Sequence, residues 1–145
     1  MAVSDCIFCQ IAAGTAACAE IYRDNATLAF MDINPANDGH CLVIPKAHFE
    51  NALEMPPALF GTLASAAAKV ARAVNEVLRP GGISLVQANG EAAGQSVIHV
   101  HIHVLPRQAG DGLLLNWSRE GGDEGRCDPH RITGIAERLR SRLNA

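Results

Sequence analysis

The segment Val97-Ile-His-Val-His-Ile-His-Val-Leu105 alternates apolar and polar residues over most of its length. Successive side chains of a β-strand point to opposite faces of a sheet, so a period of two predicts a strand that ends at Pro106. Its apolar residues would face a hydrophobic core. His99, His101 and His103 would form a row on the other face, with the imidazoles roughly 6.5–7 Å apart.

Three of the chain's six histidines lie in this row. Imidazoles side by side contribute little to a sheet and repel one another when protonated, so the row calls for a chemical explanation. A neutral imidazole can attack phosphorus, act as an acid or base near neutral pH, or bind zinc. A polar strand face that arose by chance is the alternative, and the regular spacing disfavours it.

The remaining pattern alternates strands and helices in a single domain of 145 residues. An Asx turn predicts a hairpin, apolar periodicity predicts two helices, and Asp128-Pro129 is typical of a helix start. The predicted elements are strands 19–23, 27–31, 40–45, 83–89 and 97–105, and helices over 56–78 and from 128 onward. We therefore expect an α+β fold, a five-stranded antiparallel sheet with one long helix and a C-terminal helix.

Composition restricts the partners. The formal net charge is −3, which gives no reason to expect binding to nucleic acid or to an anionic membrane surface. No apolar stretch is long enough to span a bilayer, and the first residues lack the pattern of a secretory signal. Five cysteines, an odd number, favour reduced thiols. These features predict a cytoplasmic protein.

Two smaller features point to ligands. The loop Gly94-Gln95-Ser96 precedes the histidine row and can present N–H groups to a phosphate, with Asn89 at the end of the preceding strand. Cys6 and Cys9 have the two-residue spacing with which two thiolates reach one zinc ion.

Several ordered motifs resemble those of the histidine triad (HIT) family, in its bacterial-type branch. The defining pattern is His-x-His-x-His followed by two apolar residues, here His99 to Leu105. The resemblance covers most of the chain up to Pro106, and the tail and helix of 107–145 are less diagnostic. The other matching blocks are Asp5-Cys-Ile-Phe-Cys-Gln-Ile11, Leu28-Ala-Phe-Met-Asp-Ile-Asn-Pro35, Gly39-His-Cys-Leu-Val-Ile-Pro-Lys-Ala-His48 and the stretch from Asn89 to Ser96.

The resemblance implies a role for each matching position. His101 would attack the α-phosphate, His103 would protonate the leaving group, and His40 would lie beside the phosphate. The implied substrate-binding residues are Asp32 for the ribose, Asn89, Gln95 and Ser96 for phosphate oxygens and the leaving group, and Phe8, Ile11, Phe30 and Ile33 for the base. The substrate would be a purine nucleotide and the protein a homodimer.

The related uridylyltransferase branch implies a structural zinc held by Cys6, Cys9, His48 and His99. The alternative is a pair of free thiols near the N-terminus. No organic cofactor is expected.

The predicted function is a nucleotide hydrolase or transferase acting through a covalent nucleotidyl-histidine, of the phosphoramidase or dinucleoside polyphosphate hydrolase type. Two alternatives stay open. One is a non-catalytic nucleotide-binding or zinc-stabilised interaction module, and the other is a metalloenzyme with zinc on the histidine row itself.

Overall fold

The computed structural model describes residues 3–113 and 128–145. The helices and strands follow one another in the predicted order, with an additional short helix at the N-terminus. The elements are α1 (Ile7–Ala13), β1 (Glu20–Arg23), β2 (Thr27–Met31), β3 (Cys41–Pro45), α2 (Pro57–Leu78), β4 (Gly82–Val86), β5 (Ile102–Arg107) and α3 (Pro129–Leu143), with a single 3-10 turn at Glu91–Ala93.

The five strands form one antiparallel sheet in the order β1-β2-β3-β5-β4. This confirms the predicted α+β fold with a five-stranded antiparallel sheet. Strands β2 and β3 are buried along their whole length, as expected for a sheet covered on both faces.

The alternation of side chains divides the core into two layers. Ala29, Val43 and Val104 belong to the larger layer, which also includes buried residues of α2 and α3. Leu28 and Leu42, their neighbours in sequence, point to the opposite face and pack with residues of α1. The second layer is thinner because α1 has only two turns, and it leaves room for a cavity.

The predicted start of the C-terminal helix is confirmed at atomic level. The Asp128 side chain accepts hydrogen bonds from the backbone N–H groups of His130 and Arg131, and Pro129 occupies the first turn.

The histidine segment differs from its prediction. β5 begins only at Ile102 and includes Pro106, so the segment before Ile102 is not strand. This earlier part is held instead by the Val100 N–H bonded to the Phe49 carbonyl, and by the His99 ring. Pairing between β3 and β5 involves only Ile102–Val104, so Pro106 has a partner strand on one side, β4. A proline is tolerated at such a half-paired position because no second strand requires its N–H.

Among the described residues, no helix combines the length and hydropathy that a membrane span requires. Trp117 and Cys127, in the predicted tail, lie outside the described residues.

Candidate functional site

A cavity of about 350 Å³ opens on the α1 face of the sheet. This volume falls within the range of about 300–1,000 Å³ that is usual for small-molecule sites. His101 and His103 line it. Six of the residues predicted to bind substrate also line it: Phe8, Ile11, Phe30, Asp32, Ile33 and Ser96.

One end of the cavity is an apolar slot. Phe8 packs edge-on against Phe30, with 5.3 Å between the ring centroids, and edge-on against His101 at the same separation. Ile33 is 72% exposed and lies at the rim. A flat aromatic group fits such a slot, because aromatic rings favour offset and edge contacts.

His101 is held in one tautomer. Its Nδ1 lies 2.7 Å from the carbonyl oxygen of His99, so Nδ1 carries the proton and donates it. In the neutral ring Nε2 therefore keeps its lone pair. This is the form that an attacking imidazole needs.

His40 and His103 form a second oriented pair. The Ala36 N–H donates to Nδ1 of His40 at 3.0 Å, so the proton of the neutral ring is on Nε2. Nε2 of His40 lies 2.9 Å from Nδ1 of His103 and donates to it. The proton of neutral His103 is consequently on Nε2, and one backbone N–H sets the tautomers of both rings.

Burial favours the neutral form of all three rings. It lowers the pKa of His103 to about 3, with further lowering by the nearby His101 and His40. Burial also lowers the pKa of His101, against the opposing effects of its bond to the His99 carbonyl and of Asp32. For His40 the lowering by burial exceeds the raising by Asp32. Near neutral pH the free site therefore contains neutral imidazoles.

The rings are closer together than a regular strand would place them. The centroids of His101 and His103 are 4.9 Å apart, because His101 precedes β5 and its ring turns toward its neighbour. Asp32 is half-buried beside them, and its Oδ2 lies 3.6 Å from Nε2 of His40.

Two predicted phosphate ligands have other contacts. The amide of Gln95 braces its own loop, accepting from the Gly90 N–H and donating to the carbonyls of Glu50 and Val97. Asn89 accepts from the Ala52 N–H and exchanges hydrogen bonds with Gln87. Neither side chain lines the cavity, whereas Ser96 does. In this arrangement Gln95 and Asn89 shape the loop that carries Ser96.

The four predicted metal ligands lie together, with their ligand atoms within 4.8 Å of one another. Cys9 Sγ is 3.3 Å from His48 Nδ1 and 3.6 Å from His99 Nδ1, and the two Nδ1 atoms are 3.2 Å apart. A tetrahedral zinc site gives about 3.6 Å between sulfur and nitrogen ligands and about 3.3 Å between two nitrogens. The donor set and its spacing fit zinc.

Hydrogen bonds to groups outside the cluster orient two of these predicted ligands, His99 and Cys9. Nε2 of His99 donates to the Pro45 carbonyl at 2.9 Å, which leaves Nδ1 unprotonated toward the cluster. The Val3 N–H donates to Cys9 Sγ at 3.4 Å. The ring of Phe8 lies edge-on to both His99 and His101, and so packs between this cluster and His101.

A second group, Asp32, His40 and His103, also brings three possible ligand atoms within 4.8 Å of one another. Its tautomers oppose metal binding. Nδ1 of His40 already accepts the Ala36 N–H, so a metal on Nε2 would have to displace the only ring proton. The geometry therefore disfavours zinc at Asp32, His40 and His103.

Several groups that form the site were not predicted from the sequence. Leu42, Val97, Asn34 and Cys18 line the cavity. Leu42 had a usable signal, because it follows His40 by two residues in a strand and so shares its face. The Ala36 N–H had none, since any residue except proline supplies the same group.

Comparison with known proteins agrees with this geometry. The family model described as "HIT domain" matches residues 14–110. The Bacillus subtilis protein named "Protein hit" is 42% identical over 139 residues, covering 94% of this chain and 96% of that protein. Adenosine 5'-monophosphoramidase hnt1 of Schizosaccharomyces pombe is 32% identical, with 95% of this chain and 98% of that protein covered.

Adenylylsulfatase HINT3 of Arabidopsis thaliana is 36% identical over 81% of this chain, and the match spans 58% of the longer plant protein. Among solved structures, a zinc-bound histidine triad family protein from Mycobacterium smegmatis has a TM-score of 0.83 and 36% identity, with 97% of this chain and 94% of that one covered. The chain therefore belongs to the HIT domain family of histidine triad proteins, a family of nucleotide hydrolases and transferases.

Proposed function

We propose that the protein cleaves a purine nucleoside phosphoramidate or a dinucleoside polyphosphate at the α-phosphate, through a covalent nucleotidyl-His101 intermediate. The observation that carries the proposal is the tautomer of His101. Its Nδ1–H is bound to the His99 carbonyl, so that the lone pair of Nε2 is available at the cavity.

In the first step, Nε2 of His101 forms a bond to phosphorus while the bond from phosphorus to the leaving group breaks. The electron pair of that bond goes to the leaving atom, which takes a proton from Nε2 of His103. His103 takes a second proton, on Nδ1, from solvent when the substrate binds, and the negative phosphate favours this by raising the pKa of the ring. The Nε2–H of His40 then has the carboxylate of Asp32 as its alternative acceptor.

In the second step, water attacks phosphorus and the bond to His101 breaks. His103, neutral after the first step, takes the proton of the water. Two displacements through a labile nitrogen–phosphorus bond replace one difficult displacement. No metal is required for either step.

The cavity supports the assignment of substrate groups. The slot of Phe8, Ile11, Phe30 and Ile33 would hold the base, and Asp32 would accept hydrogen bonds from the ribose hydroxyls. Ser96 would donate to a phosphate oxygen, with Asn89 and Gln95 acting through the loop. Donors placed around a phosphoryl group stabilise the charge that develops in the transition state.

We also propose that Cys6, Cys9, His48 and His99 bind a structural zinc. The ion would join the N-terminal segment, the end of β3 and the segment before β5. Its support is the spacing of the ligands and the zinc-bound neighbour from Mycobacterium smegmatis. The carbonyl of His99 accepts the hydrogen bond from Nδ1 of His101. By fixing His99, zinc would therefore help to hold the His101 ring in its orientation.

A homodimer is the proposed assembly. Strand β4 is at the edge of the sheet, and among the described residues its Leu85 is 51% exposed. Exposed apolar side chains on an edge strand favour pairing with another chain, and a second copy is the partner always present. None of the four cysteines that the structure describes is in a disulfide, which supports the cytoplasm as the location.

The test is a substrate panel on wild type and His101→Asn. The panel compares adenosine phosphoramidates with diadenosine polyphosphates. We expect turnover of the preferred class to fall by at least about a thousandfold in His101→Asn. His130→Asn is the matched control, since that histidine is exposed at the start of α3. Wild-type rates in a folded His101→Asn protein would overturn the proposal. Nucleotide binding with no turnover in wild type would favour the non-catalytic module instead.

A further inference from the structure

We propose that Asn37 is a positioning residue for leaving-group departure, acting through Ala36 and His40 on His103. This inference rests on the proposed function, because it concerns how His103 is presented to the leaving group. The Ala36 N–H sets both ring tautomers, so whatever holds Ala36 in place controls the acid.

Ala36 lies in the loop that joins β2 to β3, and it is buried. The Asn37 carbonyl accepts the His40 N–H at 3.1 Å, and the Asp32 N–H donates to the His40 carbonyl. These bonds fold the loop back on His40. They do not by themselves connect the loop to the strand that carries His103.

The Asn37 side chain makes that connection. Its Nδ2 donates to the Pro106 carbonyl at 2.8 Å and to Asp111 Oδ2 at 3.0 Å. Pro106 follows His103 by three residues in β5. One amide thus ties the loop that orients His40 to the strand that carries His103.

Asp111 is itself tightly held. Arg107 donates to both of its oxygens, at 2.8 and 3.0 Å, and the N–H groups of Gln108 and Leu113 donate as well. The Asp111 side chain is 8% exposed. An acceptor held by this many donors is a rigid anchor, because moving it would leave several groups unsatisfied.

The loop also offers a matched comparison. Asp38, adjacent to Asn37, has a side chain that is 58% exposed and is 3.8 Å from Arg131. Its replacement alters the same loop and removes a polar contact, but it leaves the anchor intact. Asp38→Ala therefore separates loss of the anchor from general disturbance of the loop.

The kinetic test compares Asn37→Ala with Asp38→Ala on a series of adenosine phosphoramidates whose amine leaving groups differ in basicity. kcat/KM is measured, because it reports the steps up to nucleotidyl transfer and excludes hydrolysis of the intermediate. In Asn37→Ala we expect kcat/KM to fall about tenfold for the most basic amine and less than about twofold for the least basic. Equal losses across the series, or the same pattern in Asp38→Ala, would overturn the inference.

A second variant acts from the other side of the contact. Asp111→Ala removes the anchor without changing the loop sequence, so it should give the same dependence on the leaving group. The double variant Asn37→Ala/Asp111→Ala should be no worse than the more impaired single variant, because the contact to Asp111 is one of the two that Asn37→Ala already removes. Additive losses would contradict a shared route.

A spectroscopic measurement keeps this inference separate from the proposed function. Long-range ¹H–¹⁵N spectra of the free protein report which ring nitrogen carries the proton. Wild type and Asp38→Ala should show His40 protonated at Nε2 alone, whereas Asn37→Ala should show a mixture of tautomers. If Asn37→Ala shows this mixture but wild type turns over no nucleotide, the proposed function fails and the positioning of His40 by Asn37 stands. An unchanged His40 tautomer in folded Asn37→Ala would overturn the positioning.

Discussion

Each imidazole of the site depends on a contact that selects one of its two nitrogens. The His99 carbonyl selects Nδ1–H in His101, and the Ala36 N–H selects Nε2–H in His40 and, through it, in His103. Two main-chain groups thereby assign different chemistry to rings that are identical as residues. On this basis we propose His101 as the nucleophile and His103 as the proton donor.

Replacement of His103 should separate leaving groups. We expect His103→Asn to lower kcat/KM by about a hundredfold or more for poor leaving groups, and much less for good ones that depart without a proton. The measurement is the slope of log kcat/KM against leaving-group pKa, which should become steeper in the variant. A slope equal to that of wild type would show that His103 is not the acid.

The lowered pKa of His103 also predicts a pH dependence of stability. The unfolded ring titrates at about 6.5, whereas the folded ring, next to His40, His101 and Asp32, titrates at about 3. Below pH ~6.5 the unfolded chain takes up a proton that the folded chain does not, so the free energy of unfolding falls by up to about 1.4 kcal/mol per pH unit for this histidine. The loss ends near the folded pKa.

Urea unfolding at about pH 7 and about pH 5 measures this effect. Comparison of wild type with His103→Asn isolates it, because any contribution from the zinc ligands is common to both. The variant should lose less stability on acidification than wild type does. Equal losses in the two proteins would contradict neutral burial of His103.

Local signals were sufficient for most of the helices and strands. β2 and β3, helix α2 and the cap at Asp128 were all predictable, because each has a local signal in its own residues. Helix α1 and the late start of β5 were not predicted. The alternation of residues extends back to His99, but pairing with β3 begins only at Ile102, and the ring contact of His99 with Pro45 holds the segment before it.

The same limit applies to the site. The histidine row and the Cys6–Cys9 spacing identified the side chains that converge. The contacts of Gln95 within its loop, and those between Asn37 and Asp111, were not apparent from the sequence. They depend on loop conformations, which hydrophobic periodicity does not predict. Asn37 and Asp111 are 74 positions apart in the sequence, so neither residue's neighbours indicate the contact.

The packing of α2 on the sheet makes a direct stability prediction. Leu63 is fully buried in the larger core layer, whereas Leu59, one turn earlier, is 41% exposed. Leu63→Ala should lower the free energy of unfolding by about 2–5 kcal/mol, and Leu59→Ala by less than about 1 kcal/mol. Urea unfolding of both variants checks this, and similar losses would contradict the packing of this helix.

The proposed zinc site joins three separate segments, so its loss should affect both metal content and stability. Purified wild type should contain about one zinc per chain, and Cys9→Ser should contain little and unfold at a lower temperature. Cys18→Ser is the control, since that thiol lies outside the cluster. Less than about one zinc in ten wild-type chains after zinc-replete growth would contradict the site.

Among the described residues, the edge strand β4 has an exposed apolar side chain, Leu85, and dimerisation is the expected consequence. Sedimentation should give a dimer for wild type, and Leu85→Glu should shift the population toward monomer. Leu53→Glu is the control, because Leu53 is 83% exposed and lies in a turn rather than in the edge strand. A monomeric wild type would contradict the assembly.

The stereochemical course at phosphorus tests the covalent intermediate without altering the protein. The substrate is an adenosine phosphoramidate of known configuration in which sulfur replaces one phosphoryl oxygen, hydrolysed in ¹⁸O-labelled water. Attack by His101 followed by attack of water inverts phosphorus twice, so the product should show net retention. Net inversion would mean that water attacks the substrate directly, and the nucleotidyl-His101 would not form.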